Sequence, residues 1–206
     1  LKNWSQTLMI LTQKGYKVIM LNEYSSFVPF SRMKTLGLDV LRGATQVPFN
    51  GELEYDVWLT IDSDMFFVPE QVIELIEDTD KHPVVSGLYR MTDLEHYATV
   101  KDWDMEYFKK HGTFEFLKVK DLDTSEKYMK VAYNGMGFFA CRKGVIENLK
   151  YPYFSYPLIE LETEDGKVLR DMCSEDVSFC KNLKDAGYSV IVNTNLRVGH
   201  EKMLVI

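Results

Sequence analysis

The strongest constraint on this chain is a strand pattern that stops abruptly at two carboxylates. Residues 56–61 (DVWLTI) are rich in β-formers and bounded by polar positions, which predicts a strand. Asp62-Ser63-Asp64 closes that run. Pro69 then opens PEQVIELIEDTD, where Val72, Leu75 and Ile76 share one helical face. Proline suits the first helical turn, because its missing N–H would be unpaired there anyway. Residues 83–89 read as the next strand. Strand, helix and strand in this order predict an α/β fold with a mainly parallel sheet covered by helices.

The flanking chain fits the same scheme. Residues 4–14 place Trp4, Leu8 and Leu11 at helical spacing, and Gly15 supplies a stop. Residues 16–21 (YKVIML) predict a buried strand. Residues 31–41 predict a second helix through Met33, Leu36 and Val40, with Ser31 as cap and Gly37 as a weak point. Residues 92–112 are polar and aromatic without a period. Residues 113–131 read as two strands joined at 121–127 into a hairpin with a polar tip. Residues 138–141 form another strand pattern, and 145–149 start a helix. Residues 175–186 are amphipathic, with Ser174 as N-cap and Gly187 as stop, and 188–192 make a last strand. The expectation is one domain over residues 1–206, with a small antiparallel insertion in its second half.

Composition narrows the function. A chain of 206 residues, 46% hydrophobic, has room for one sizeable core. Its 31 acidic against 24 basic residues give a net charge of −7, which argues against nucleic-acid binding. The longest apolar stretches, such as 138–141 and 203–206, are far short of a membrane span. No charged-then-apolar leader opens the chain, and no initiator Met, so it reads as a fragment or a trimmed product. Cys141, Cys173 and Cys180 cannot all pair and form no C-x-x-C. Buried free thiols in a reducing, cytoplasmic compartment are expected.

Four D-x-D pairs occur, and only context separates them. Asp78/Asp80 closes a helix and Asp102/Asp104 sits in a polar stretch, so both read as solvated surface. Asp121/Asp123 falls on the expected hairpin tip, where Asp is ordinary turn chemistry. Asp62/Asp64 ends the strongest strand, and open α/β sheets bind ligands outside the carboxyl ends of their strands. Two carboxylates there repel unless a cation lies between them, and oxygen ligands suit Mg²⁺ or Mn²⁺. Strand-end capping is the alternative reading. Glu175-Asp176 is either favourable charge at a helix start or a positioned general base. Asn134-Gly135-Met136-Gly137 is either a plain turn or a close approach of backbone to ligand. His82, His96 and His111 lack metal-ligand spacing, whereas His200, just past the last strand, is either a surface residue or a metal ligand.

Taken in order, these pieces resemble the GT-A fold of nucleotide-sugar glycosyltransferases. TIDSDMFFVPEQVIELI resembles the family's strand, D-x-D and helix, and NGMGFFACRKGVIENL its glycine turn. SEDVSFCKNLKDAGYSVIVNTNLRVGH resembles its Glu-Asp helix, final strand and trailing metal-binding His. The chain is also similar to the compact transferases encoded by phages and large DNA viruses, for which the location would be the host cytoplasm.

The resemblance implies that Asp64 is the principal carboxylate ligand of Mn²⁺ or Mg²⁺, with His200 a further ligand. Asp62, with Ser63 beside it, would contact the metal shell or the nucleotide. Arg32 resembles an arginine preceding a helix that helps hold the nucleotide. Gly135 and Gly137 would line the sugar pocket, Asp176 would be the catalytic base, and Glu175 an acceptor-side carboxylate. The implied donor is a nucleoside-diphosphate sugar, most commonly a UDP-sugar, and the acceptor a glycan or glycoprotein hydroxyl. A single base without a nearby nucleophile implies inversion.

One departure stands out: the family's fold begins with a strand that this sequence lacks. Two rival readings remain. A sugar nucleotidyltransferase uses a related sheet but carries a Gly-rich, Arg-containing loop that is absent here. A non-catalytic nucleotide-sugar or glycan-binding module would not need the carboxylates and histidine that are all present.

Overall fold

In this computed structural model, which describes residues 2–202, helices α1 (Lys2–Gln13) and α2 (Val28–Thr35) precede strand β1 (Val57–Ile61). The short β2 (Met65–Phe66), helix α3 (Pro69–Asp78) and strand β3 (Val84–Leu88) follow. Next come β4 (His96–Val100), α4 (Met105–His111), β5 (Phe116–Lys118), β6 (Tyr128–Val131), β7 (Tyr133–Asn134) and β8 (Phe138–Arg142). A hairpin of β9 (Leu158–Glu162) and β10 (Val168–Met172) leads into α5 (Glu175–Asp185), β11 (Val190–Arg197) and β12 (Gly199–His200).

The main sheet has five strands in the order β1-β8-β3-β11-β6. Among the described residues only β3 and β11 pair in parallel; β8 runs against both β1 and β3, and β6 against β11. The sheet is therefore mixed and mostly antiparallel, which corrects the mainly parallel expectation. The physical reason is β8, which enters between β1 and β3 with reversed direction. Strands β1, β3 and β11 nevertheless point the same way, so their C-terminal ends share one edge.

Alternation along the strands builds a core on each face. Trp58, Val84, Leu88, Phe139 and Val192 pack on one side with Phe179 and Leu183 of α5. Val85, Phe138, Ala140 and Leu196 pack on the other with Leu11 of α1 and Val72 and Leu75 of α3. Phe179 stacks on Phe154 at 4.8 Å between ring centroids. Its truncation to Ala is expected to cost about 3–5 kcal/mol through the cavity left behind.

Several local expectations change. Residues 16–21 form no strand, and Val18 to Leu21 are each at least 43% exposed. The run has strand composition, but no described strand lies alongside to pair with it, and pairing is what makes a strand. Helix α2 begins before Ser31, where Pro29 fits its first turn, and ends at Thr35, with Gly37 at φ +63° two residues beyond it. The Ser31 hydroxyl bonds Val28 inside the helix and is no cap. The strands in 113–131 do not pair with each other: β5 joins β4, and β6 joins β11. Residues 145–149 hold only a short 3₁₀ turn. Asp78 is buried, not solvated, and accepts hydrogen bonds from Lys127, Tyr128 and Asn193. The 203–206 stretch lies outside the described residues.

Candidate active site at the C-terminal edge of the sheet

Asp62 follows β1 and donates its backbone N–H to the Gly137 carbonyl at 2.9 Å, which fixes the D-S-D turn beside the glycine turn. Ser63 is exposed at the tip. Strand β12 pairs with β2, setting His200 opposite Met65, and the Glu201 N–H donates to the Asp64 carbonyl at 2.7 Å. The Nε2 of His200 consequently lies 3.1 Å from Asp64 Oδ2, although 136 positions separate the two residues. The same Oδ2 accepts from Lys202 Nζ at 2.7 Å. Burial works against the Asp64 charge, but the Lys202 hydrogen bond and charge, with His200 behind them, hold its carboxyl below the ordinary value.

Arg32 sits inside α2 and is buried. Its guanidinium reaches both oxygens of Asp62 at 3.3 and 3.4 Å, Glu175 Oε1 at 3.3 Å and the Thr60 hydroxyl at 3.2 Å. Burial opposes its charge, yet Asp62 and Glu175 outweigh that and hold it protonated above its usual value. The structure thus joins Arg32, Asp62 and Glu175 into one ionic cluster. In this arrangement Asp62 faces Arg32 and not His200, and the Arg32 charge is already balanced by two carboxylates.

Asp176 lies in the first turn of α5. Its Oδ2 accepts from the Tyr133 hydroxyl at 2.9 Å, and its Oδ1 from the Ser174 hydroxyl and the Val177 N–H. Ser174 is the N-cap residue by position, but its hydroxyl is directed to Asp176 and caps no backbone N–H. Burial first, and the Asp176 charge second, push the Tyr133 phenol well above its ordinary pKa.

Tyr89 links the two halves of the site. Its ring meets His200 edge-on at 5.0 Å, and its hydroxyl accepts the Gly137 N–H at 3.3 Å. Gly135 and Gly137 are both buried here, and a Cβ on Gly135 would stand 2.0 Å from the Tyr89 hydroxyl. Their lack of a side chain is required by close packing. Asn134, beside them, is held by Thr99, Ser86 and the Gly87 carbonyl.

A divalent cation fits part of this arrangement. Among the described residues, no three of His, Cys, Asp and Glu gather into a ready-made metal cage. Asp64 and His200 do, however, present a hard oxygen and an imidazole nitrogen 3.1 Å apart. Adjacent ligands of an octahedral ion with bonds of about 2.1 Å are separated by roughly 3.0 Å. The Nδ1 of His200 faces the Arg90 carbonyl at 3.0 Å, an acceptor, so that nitrogen carries hydrogen. With hydrogen on Nδ1, the Nε2 side of the ring faces the Asp64 carboxylate, a pairing that a cation or a proton between the two makes favourable.

Sequence reading missed Tyr89, Tyr133 and Lys202. A tyrosine in an apolar strand reads as core, so the first two carried no signal. Lys202 did carry one: it stands two residues after His200, the spacing that places side chains on one face of an extended chain.

No known family profile matches the chain, and no curated protein matches it. Among solved structures, the crystal structure of A197 from STIV is similar at a TM-score of 0.47 and 16% identity, over 98% of this chain and 90% of that one. Among the described residues no helix is long and apolar enough to cross a membrane.

Proposed function

We propose that the chain is a GT-A glycosyltransferase, moving a sugar from a nucleoside-diphosphate sugar, with UDP as the favoured carrier, to an acceptor hydroxyl. The observation that carries this reading is the meeting of Asp64 with His200 at the sheet edge where β1, β3 and β11 end. Asp64 and His200 would hold Mn²⁺ or Mg²⁺, which supplies charge stabilisation for the departing diphosphate. Asp176, oriented by Tyr133, takes the proton of the acceptor hydroxyl as its oxygen bonds to the anomeric carbon and the bond to the diphosphate breaks. Asp62 and Glu175 are both bound to Arg32, so neither is free to serve as a nucleophile, which supports inversion. Gly135 and Gly137 are packed over by Tyr89 and Met65, so they shape the site through packing and do not themselves line the sugar pocket. The acceptor is a glycan or glycoprotein, and the setting is the cytoplasm.

Incubation with UDP-sugars and Mn²⁺, with release of UDP as readout, tests the reading. Release that needs Asp176 supports it. Turnover that requires pyrophosphate would identify a nucleotidyltransferase instead, and binding without turnover a recognition module.

A further inference from the structure

We propose that Lys202 is a built-in counter-cation for Asp64. Its ammonium holds the carboxylate until a divalent cation displaces it. The inference rests on the metal-dependent reading above and adds a competitor within the chain itself.

Three observations converge. His200 and Lys202 both address one oxygen, Oδ2 of Asp64, at 3.1 and 2.7 Å. The strap that carries them is laid across the D-S-D turn by β12–β2 pairing and by the hydrogen bond from Glu201 to Asp64. It lies close, since a Cβ on Gly199 would stand 3.0 Å from the Phe66 Cβ.

Charge explains why a cation is needed there at all. Arg32 is matched by Asp62 and Glu175 together, which leaves that cluster with an excess negative charge. Asp176, next to Glu175 in the first turn of α5, adds another negative charge. Asp64, two residues after Asp62, adds a further negative charge to this edge of the sheet. Lys202 provides a single positive charge from a side chain that is 41% exposed, facing a carboxylate that is 39% exposed. An ion pair so open to water is weak, and its partner can leave into solvent at small cost. A dication brings twice the charge and can be ligated by His200 as well, so it wins the exchange without removing the strap.

Mn²⁺ alone, with no nucleotide, is the probe, and the electron paramagnetic resonance signal of the free aqueous ion is the readout. Removing the internal competitor in Lys202→Gln is expected to tighten Mn²⁺ binding about two- to fivefold, the equivalent of a solvent-open ion pair. Lys202→Arg, which keeps the pairing, is expected to bind as the unmodified protein does. Lys167→Gln, at the exposed tip of the β9–β10 hairpin, controls for loss of overall charge and is expected to change nothing. Unchanged or weaker binding in Lys202→Gln would overturn the proposal, as would equal tightening in Lys167→Gln. Binding that requires Asp64 but ignores Lys202 would overturn this inference alone. Absence of any Mn²⁺ binding that Asp64→Ala removes would overturn the metal-dependent reading together with it.

Discussion

Tyr133, on β7, donates its phenolic hydrogen to Oδ2 of Asp176, in the first turn of α5, at 2.9 Å. The bond ties the proposed base to the strand that leads into the glycine turn. Tyr133→Phe leaves the ring and its packing in place and removes only that donor. A hydrogen bond to a charged group contributes about 1.5–3 kcal/mol, so kcat should fall roughly 10- to 100-fold. The KM for the donor should stay unchanged, because Tyr133 orients the acceptor-side base. Steady-state kinetics with varied donor checks this, and a rise in donor KM at constant kcat would contradict it.

Gly135 and Tyr89 offer a test of packing at the site. An added Cβ on Gly135 would meet the Tyr89 hydroxyl at 2.0 Å and its ring carbon at 2.9 Å. Gly135→Ala should destabilise the fold by about 1–3 kcal/mol, the usual range for overpacking. Adding Tyr89→Phe removes the closest clash, so the double variant should recover part of that loss. A double-mutant cycle in urea measures the coupling; strictly additive losses would show that the clash is relieved elsewhere.

Cys180 and Cys141 predict how the protein behaves in alkali. Burial pushes the Cys180 thiol up to about 12 and holds Cys141 well above its ordinary value. A raised pKa in the folded state means that the unfolded chain releases its proton first as pH rises. The stabilisation is complete below about pH 8.5 and is lost above it, by about 1.4 kcal/mol per pH unit for each buried thiol. Denaturant melts between pH 7 and 10 should show this decline. In the native state a thiol reagent should modify Cys173, the partly exposed one, ahead of the other two.

The legible parts of this chain were those written in local chemistry. DVWLTI, Pro69 and the 175–186 periodicity marked β1, α3 and α5, because strand composition and helical spacing belong to the segment itself. Pairing was not legible. Residues 16–21 have the composition of a strand and no partner, while β5 and β6 separate to different sheets because their edges find β4 and β11. The hairpin β9–β10 has no counterpart among the strands expected from sequence, and Asp78 reads as surface until Lys127, Tyr128 and Asn193 are brought over it. At the site, the Asp64–His200 contact was accessible only as a family resemblance. The role of Arg32 as partner to both Asp62 and Glu175 needed the fold, since 143 positions separate Arg32 from Glu175.

Binding of UDP with and without Mn²⁺, followed by titration calorimetry, tests the central claim most directly. Arg32 is already matched by two carboxylates and Lys202 by Asp64, and Asp176 adds further negative charge, so a bound diphosphate would need positive charge beyond these paired side chains. UDP should bind in Mn²⁺, and binding should be lost both in EDTA and in Asp64→Ala. Equal affinity for UDP with and without the metal would contradict the proposed function.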